Sequence, residues 1–379
     1  MTNSTRYGTA FAVIAAMACV SHASTPDDAF VKRVIDSRFV AEGVAVGDVN
    51  RDGRLDIVAG NVWYEAPNYT PHEIAPVATV DPKHAYSNCF NAWMADLNHD
   101  GWVDQIVIGM PGEPVVWREN PKGAVGPWKE HPIWRSACNE SPLYEDLFGN
   151  GKKVLIMGTD DEYLAWFEPA ANPDAEWVCH PISGLKGAGS QRYSHGLGVG
   201  NLVGDRRNEV LTTEGYYVAP QDPRRDPWTF VKTDLGPDCA HMIVLKPSGS
   251  KRPGILTTSA HSRGVWWHEP LETGGYERKA IDDTVSETHS AHLARVGKAW
   301  NLITGKRKWA HPPGVDVGSE EPSLLVRYES IGSGWIRHVI DEDSGVGTQF
   351  VVRDMNRDGL DDVVISNKNG VFLFLQRRH

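Results

Sequence analysis

A nine-residue acidic pattern occurs three times in this chain of 379 residues: Asp48-Val-Asn50-Arg-Asp52-Gly53-Arg-Leu-Asp56, Asp96-Leu-Asn98-His-Asp100-Gly101-Trp-Val-Asp104 and Asp354-Met-Asn356-Arg-Asp358-Gly359-Leu-Asp-Asp362. Oxygen-bearing side chains at positions 1, 3, 5 and 9, with glycine at 6 for the sharp turn, are the ligand spacing of a calcium loop. No copy has the position-12 glutamate that would close an EF-hand, and each is flanked by short β-type runs such as Val44-Ala-Val46 and Ile57-Val-Ala59. The pattern therefore predicts a calcium-binding β-turn, with all twelve of these Asp and Asn residues as ligands.

Weaker copies fill the long gap between the second and third loops, beginning at Asp146, Asn201, near Lys246 and at Arg295. Starts at 48, 96, 146, 201, 246, 295 and 354 make seven units, each roughly 45–60 residues, the length of a four-stranded propeller blade. Two further markers repeat in phase. One is an aromatic strand ending in an acid (Val62-Trp-Tyr-Glu65, Leu164-Ala-Trp-Phe-Glu168, Val265-Trp-Trp-His-Glu269), and the other is Trp128-Lys-Glu-His131, Trp177-Val-Cys-His180 and Trp335-Ile-Arg-His338. Phe30–Ile35 matches the second marker with no blade before it, so it is expected to supply the outer strand of the last blade and close the ring. The expected fold is all-β, a single seven-bladed β-propeller over 24–379.

These loops and their spacing resemble the FG-GAP/VCBS repeat family of seven-bladed propellers. The stretch from Glu287 through His292, Gly305-Lys-Arg307 and His311 to Gln349 more narrowly resembles the propeller domain of aldos-2-ulose dehydratase. That resemblance implies metal-assisted β-elimination of water from a keto-sugar such as 1,5-anhydro-fructose. The chain has no room for the cupin-type domains of such enzymes, so their isomerase step is not expected here.

Residues 1–23 read as a signal peptide: a positive start at Arg6, an apolar segment from Ala10 to Val20 and the small-residue cleavage pattern Ser21-His22-Ala23. Export to the periplasm or the extracellular space is expected; a lipoprotein box around Cys19 is the weaker alternative. Four cysteines remain, Cys89, Cys138, Cys179 and Cys239, and their spacing leaves any disulfide pairing open. The formal net charge of −11 argues against nucleic acid as a partner, and no apolar run is long enough for a transmembrane span.

Topology turns the repeat into a site. If the acidic loop joins strands one and two of a blade, residues leading into strand one and leaving strand two lie at the opposite end and ring the central funnel. The lead-in positions are Glu42, Phe90, Glu140, His195, Ala240 beside His241, His289 and Thr348; the exits include Asn61, Asp160, Asp161, Glu214, His261, Lys306 with Arg307, and Lys368. His195, His241 and His289 on adjacent blades are the expected ligands of a zinc-like funnel metal. Glu140 is a fourth ligand or an acid/base, and His292, Tyr193 and His311 are acid/base candidates. Lys306 and Arg307 are expected to stabilise an enolate, with Trp309 as a sugar-stacking surface. A non-catalytic glycan- or protein-binding propeller and a polysaccharide or keto-glycoside lyase are the competing readings.

Overall fold

Short apolar runs of four to seven residues, each broken by a glycine-bearing acidic turn, can bury both faces only by stacking sheet on sheet. The computed structural model, which describes residues 25–160, 162–236, 239–247, 250–331 and 334–378, does this seven times. The predicted leader and Asp161 lie outside the described residues. Blade one is an antiparallel meander of Ala45–Gly47, Asp56–Ala59, Val62–Glu65 and Thr70–Glu73. Blades two to six repeat it over 91–134, 143–181, 198–232, 239–286 and 291–341.

Blade seven takes three strands from the C-terminus and its outer strand, Phe30–Asp36, from the N-terminus, in register from Phe30 opposite Gln376. The two ends of the chain thus share one sheet, as the sequence marker anticipates. Ser366 Oγ then donates to Ala41 O at 2.7 Å across the joint between blades seven and one. The sequence does not announce Thr25–Pro26, which runs parallel to Trp335–Asp341 as a fifth strand of blade six. Among the described residues no helix is long and apolar enough to cross a membrane.

The core lies between blades. Ile57, Val58, Trp63 and Tyr64 of blade one pack with Val107 and Trp128 of blade two and Val364 and Leu373 of blade seven. Trp63 and Trp166 are among the largest fully buried side chains, and truncating either is expected to cost about 3–5 kcal/mol. Near the axis the strands crowd: a Cβ on Gly198 would stand 2.7 Å from Met242 Cβ, so only glycine fits.

Each acidic turn places its fourth residue (Arg51, His99, Arg357) and its glycine (Gly53, Gly101, Gly359) at positive φ, the conformation glycine adopts without strain. Position nine has a structural job beyond the ligand role expected of it. Asp56 accepts the amides of Val49 and Ala66 at 2.9 and 2.8 Å. Asp104 does the same for Leu97 and Asn120, and Asp362 for Met355 and Gln376. One buried carboxylate thus ties the turn to the end of strand three. Glu209 repeats half of this in blade four, accepting from Leu202 and Val203. Burial, then the neighbouring turn carboxylates, push Asp56, Asp104 and Asp362 up to about 6. None of the four cysteines forms a disulfide; the Cys138 and Cys239 thiols face Ser190 O and Leu235 O at 3.1 and 3.0 Å.

Candidate metal centre in the funnel

At the end of the propeller opposite the acidic turns, Glu140, His195, His261 and His289 bring one ligand atom each to within 4.8 Å of one another. Glu140 leads into strand one of blade three and is fixed by its amide, which donates to Ser194 O at 3.1 Å. His195 leads into blade four. His261 follows Gly254–Ser259, the second strand of blade five. His289 sits in the tight turn before Ala291–Val296, where Thr288 N donates to Ser259 O at 2.7 Å and Glu287 takes a φ of 50°.

His289 is buried, Glu140, His195 and His261 are partly buried, and several of the ring nitrogens are unspent. Glu140 Oε2 lies 3.3 Å from His195 Nε2 and 3.7 Å from His289 Nε2, yet neither contact has hydrogen-bond geometry. His195 Nε2, His261 Nδ1 and both ring nitrogens of His289 are buried without a hydrogen-bond partner. The rings stand edge to face, with centroids 4.9 Å apart for His195–His261 and 5.1 Å for His261–His289. Burial would raise the Glu140 carboxyl, but its two imidazole neighbours hold it well below the usual carboxylate range. Burial, then the Arg307 charge, holds His289 well below the ordinary imidazole value, and burial lowers His261. An ionised Glu140 carboxylate beside imidazoles held neutral at His261 and His289 is the protonation state that metal ligands need.

The donor set, three nitrogens and one oxygen, suits zinc and the neighbouring divalent transition metals. Donors bonded at about 2.1 Å stand roughly 3.4 Å apart in a tetrahedron, so small ring rotations would bring these atoms onto one ion. Beside the cluster, His311 stacks on His261 at 4.4 Å, and Asp316 Oδ1 faces His311 Nδ1 at 3.0 Å. Asp316 Oδ1 also lies 3.5 Å from His261 Nδ1.

Two of the three expected histidines meet; His241 lies elsewhere. A backbone bridge pairs it with Leu197, two residues past His195, which carries it roughly 6–7 Å further along the strand axis. A register shift between Cys239 and Met242 breaks the spacing that counting from the weak fifth turn assumed. His261, at an exit position, stands in the cluster instead. His241 pairs with His292, 5.7 Å between centroids. Both line a separate channel cavity of about 370 Å³ with Trp93, Tyr144 and Gln349, and burial lowers them to about 3 and 4.

Lys306 is already committed: its Nζ donates to Glu287 Oε2 at 2.6 Å, Arg307 O at 3.1 Å and Ser319 O at 3.4 Å. Tyr193 stands half-exposed at the rim at a φ of 62°. Trp309 has Lys308 and Lys83 over its ring at 4.4 and 6.0 Å, so its faces are turned to cations. Tyr86 donates to Ala310 O at 3.0 Å, joining the loop before blade two to the loop that carries His311. Asp316 carries no sequence signal, since nothing in its Pro/Gly-rich loop marks the turn that aims it at His311. In the acidic turns, Asp48 and Asp96 each spend Oδ2 on the turn glycine amide at 3.0 Å and keep Oδ1 buried and unpartnered.

Seven successive sheets, six of four strands and one of five, make the chain a seven-bladed β-propeller. No family model matches it, and no curated protein is significantly similar. Among solved structures it is similar to BBS1N in its complex with ARL6DN, with 10% identity, a TM-score of 0.51 and 92% of this chain and 98% of that one covered. It is also similar to YCF48 from Cyanidioschyzon merolae, at 13% identity and a TM-score of 0.48 over the same shares of the two chains. At this identity the likeness is one of fold.

Proposed function

We propose that Glu140, His195, His261 and His289 hold a divalent metal, with zinc the first candidate, and that the protein is a carbohydrate-active carbon–oxygen lyase. The observation that carries the reading is the set of buried, unpartnered imidazole nitrogens around one ionised carboxylate, an arrangement that is costly unless something occupies it. A bound cation would supply polarisation of a substrate carbonyl. His311 acts as the base: Asp316 holds its Nδ1, which leaves Nε2 to take the proton from the carbon beside that carbonyl. Its stack on His261 keeps it one ring from the metal ligands. Tyr193, at the rim, is the candidate acid for the departing hydroxyl. The string resemblance to the aldos-2-ulose dehydratase propeller and to FG-GAP repeats supports a keto-sugar substrate and structural calcium on the acidic turns, where Asp48 Oδ1 and Asp96 Oδ1 are available. The apolar leader supports export, which N-terminal sequencing of protein from the periplasm or medium checks.

The test is incubation with 1,5-anhydro-fructose, 3-keto-glycosides and uronic-acid polysaccharides, with and without divalent metal, followed by ultraviolet absorbance of an unsaturated product. The reading expects metal-dependent absorbance that falls by about 10²–10⁴-fold in His311→Ala, the usual contribution of a general base. No turnover on any class, together with tight binding of a glycan or protein, would favour a non-catalytic propeller.

A further inference from the structure

Arg307 is the one buried arginine here whose guanidinium makes no hydrogen bond or ion pair among the described residues. It is 2% exposed, and its Nη2 is buried without a partner. Other buried arginines show what satisfaction looks like in this fold. Arg118 reaches Glu130 at 2.9 Å and Asn61 Oδ1 at 2.8 Å, and Arg327 pairs with Asp27 at 2.5 Å and Asn301 Oδ1 at 2.9 Å. The lysine immediately before Arg307 is saturated by three acceptors. A guanidinium cannot shed its proton to escape burial, so its charge stays in place with no acceptor bonded to it among the described residues.

The surroundings add a second unspent cation and an unspent acceptor. Lys368 holds the strand-two exit of blade seven, as Arg307 does in blade six. It is 7% exposed, and its Nζ lies 4.4 Å above the Tyr86 ring rather than against an acid. Burial, then the Arg307 charge, lowers it to about 8. Glu42, fully buried at the lead-in of blade one, spends Oε2 on Ser87 and leaves Oε1 buried and unpartnered. Arg307 and Lys368 are the charges that act most on Glu42, against the burial that raises it to about 7. Two cations against one carboxyl that is partly protonated leave the three groups net positive at neutral pH. Arg307 is also the charge felt most strongly by His289, which puts this pocket beside the candidate metal centre.

We infer that Arg307 and Lys368 form a subsite for a single carboxylate of the substrate, which makes the substrate class a sugar acid, a uronate or a related keto-acid, rather than a neutral sugar. A guanidinium takes a carboxylate through two parallel hydrogen bonds, and Lys368 adds a second positive charge to the same pocket. The Glu42 Oε1 atom is left to meet a sugar hydroxyl. This subsite rests on the proposed carbohydrate reading of the funnel for the sugar, and on Arg307 and Lys368 for the acid.

Calorimetric titration of the full chain with glucuronate, its methyl ester, glucose and inorganic phosphate tests it, alongside elemental analysis of the same samples. Glucuronate is expected to bind at least tenfold more tightly than the ester or glucose. Arg307→Met should lose that preference while keeping its metal and melting higher, because an unpaired buried charge has been removed. Lys368→Met should weaken glucuronate severalfold and serves if the first variant does not fold. Equal affinity for glucuronate and glucose, tighter binding of phosphate, or unchanged glucuronate binding in Arg307→Met would overturn the inference. Glucuronate binding to a protein that takes up no metal would sink only the metal reading.

Discussion

Histidine and glutamate meet at both the rim and the axis of this propeller, and the two settings treat them in opposite ways. At the rim, His72, His131 and His180 stack on Trp63, Trp117 and Trp166 at 4.4, 4.2 and 3.9 Å. Each also reaches the acid two residues after its tryptophan, Glu65, Glu119 or Glu168, at 2.9–3.0 Å. The ring is packed and its nitrogen is used. At the axis the imidazoles of His195, His261 and His289 keep nitrogens buried with nothing to bond. Residue type therefore says little about function here; what separates the rim from the funnel is whether the polar atoms are already satisfied.

That contrast can be broken first at the rim. His131 is 2% exposed, stacked, and bonded through both nitrogens, to Glu119 and Asp174. His131→Ala should cost about 2–3 kcal/mol in urea unfolding and leave metal content unchanged. His289→Ala in metal-free protein should change stability by less than about 1 kcal/mol, because losing an unpaired imidazole offsets the lost packing. Equal losses from the two would erase the distinction.

The acidic turns supply an intermediate case, carboxylates that are buried yet bonded. Asp104→Asn removes one of two amide acceptors and should destabilise by about 1–2 kcal/mol, measured the same way with calcium absent; no change would mean that the carboxylate does not tie the turn to strand three. Glu42 supplies the case that depends on pH. Its carboxyl is raised to about 7 in the fold from an ordinary 4.5. The folded state thus holds the proton more tightly, and stability falls as pH rises from about 4.5 through 7. Glu42→Gln should match the parent protein near pH 4.5 and exceed it at pH 8 by roughly 3 kcal/mol. A constant difference across that range would contradict the assignment.

The repeat was legible because its signals are local: the turn glycines, the acids spaced around them and the tryptophan–histidine pairs all lie within single blades. Ring closure was legible for the same reason, since Phe30–Asp36 carries an outer-strand pattern wherever it sits in the chain. Glu140, His195 and His289 followed from counting back from the turns, which works while the intervening strand is regular. It failed for His241, where an irregular strand shifts the register, and it left His261 unranked because exits vary more than lead-ins. Lys306 looked like its neighbour Arg307 in sequence, and only the buried Glu287 carboxylate separates a spent cation from an unspent one. The second role of position nine was hidden because ligand spacing and amide bonding call for the same residue.

The central claim is that the funnel histidines wait for a metal, and cobalt(II) titration of chelator-treated protein tests it most directly. One equivalent should bind with the visible absorption of a nitrogen-ligated ion, be displaced by zinc, and lose that signal in His289→Ala but not in His131→Ala or His241→Ala. A spectrum unchanged by His289→Ala, or no stoichiometric binding to the parent protein, would contradict it.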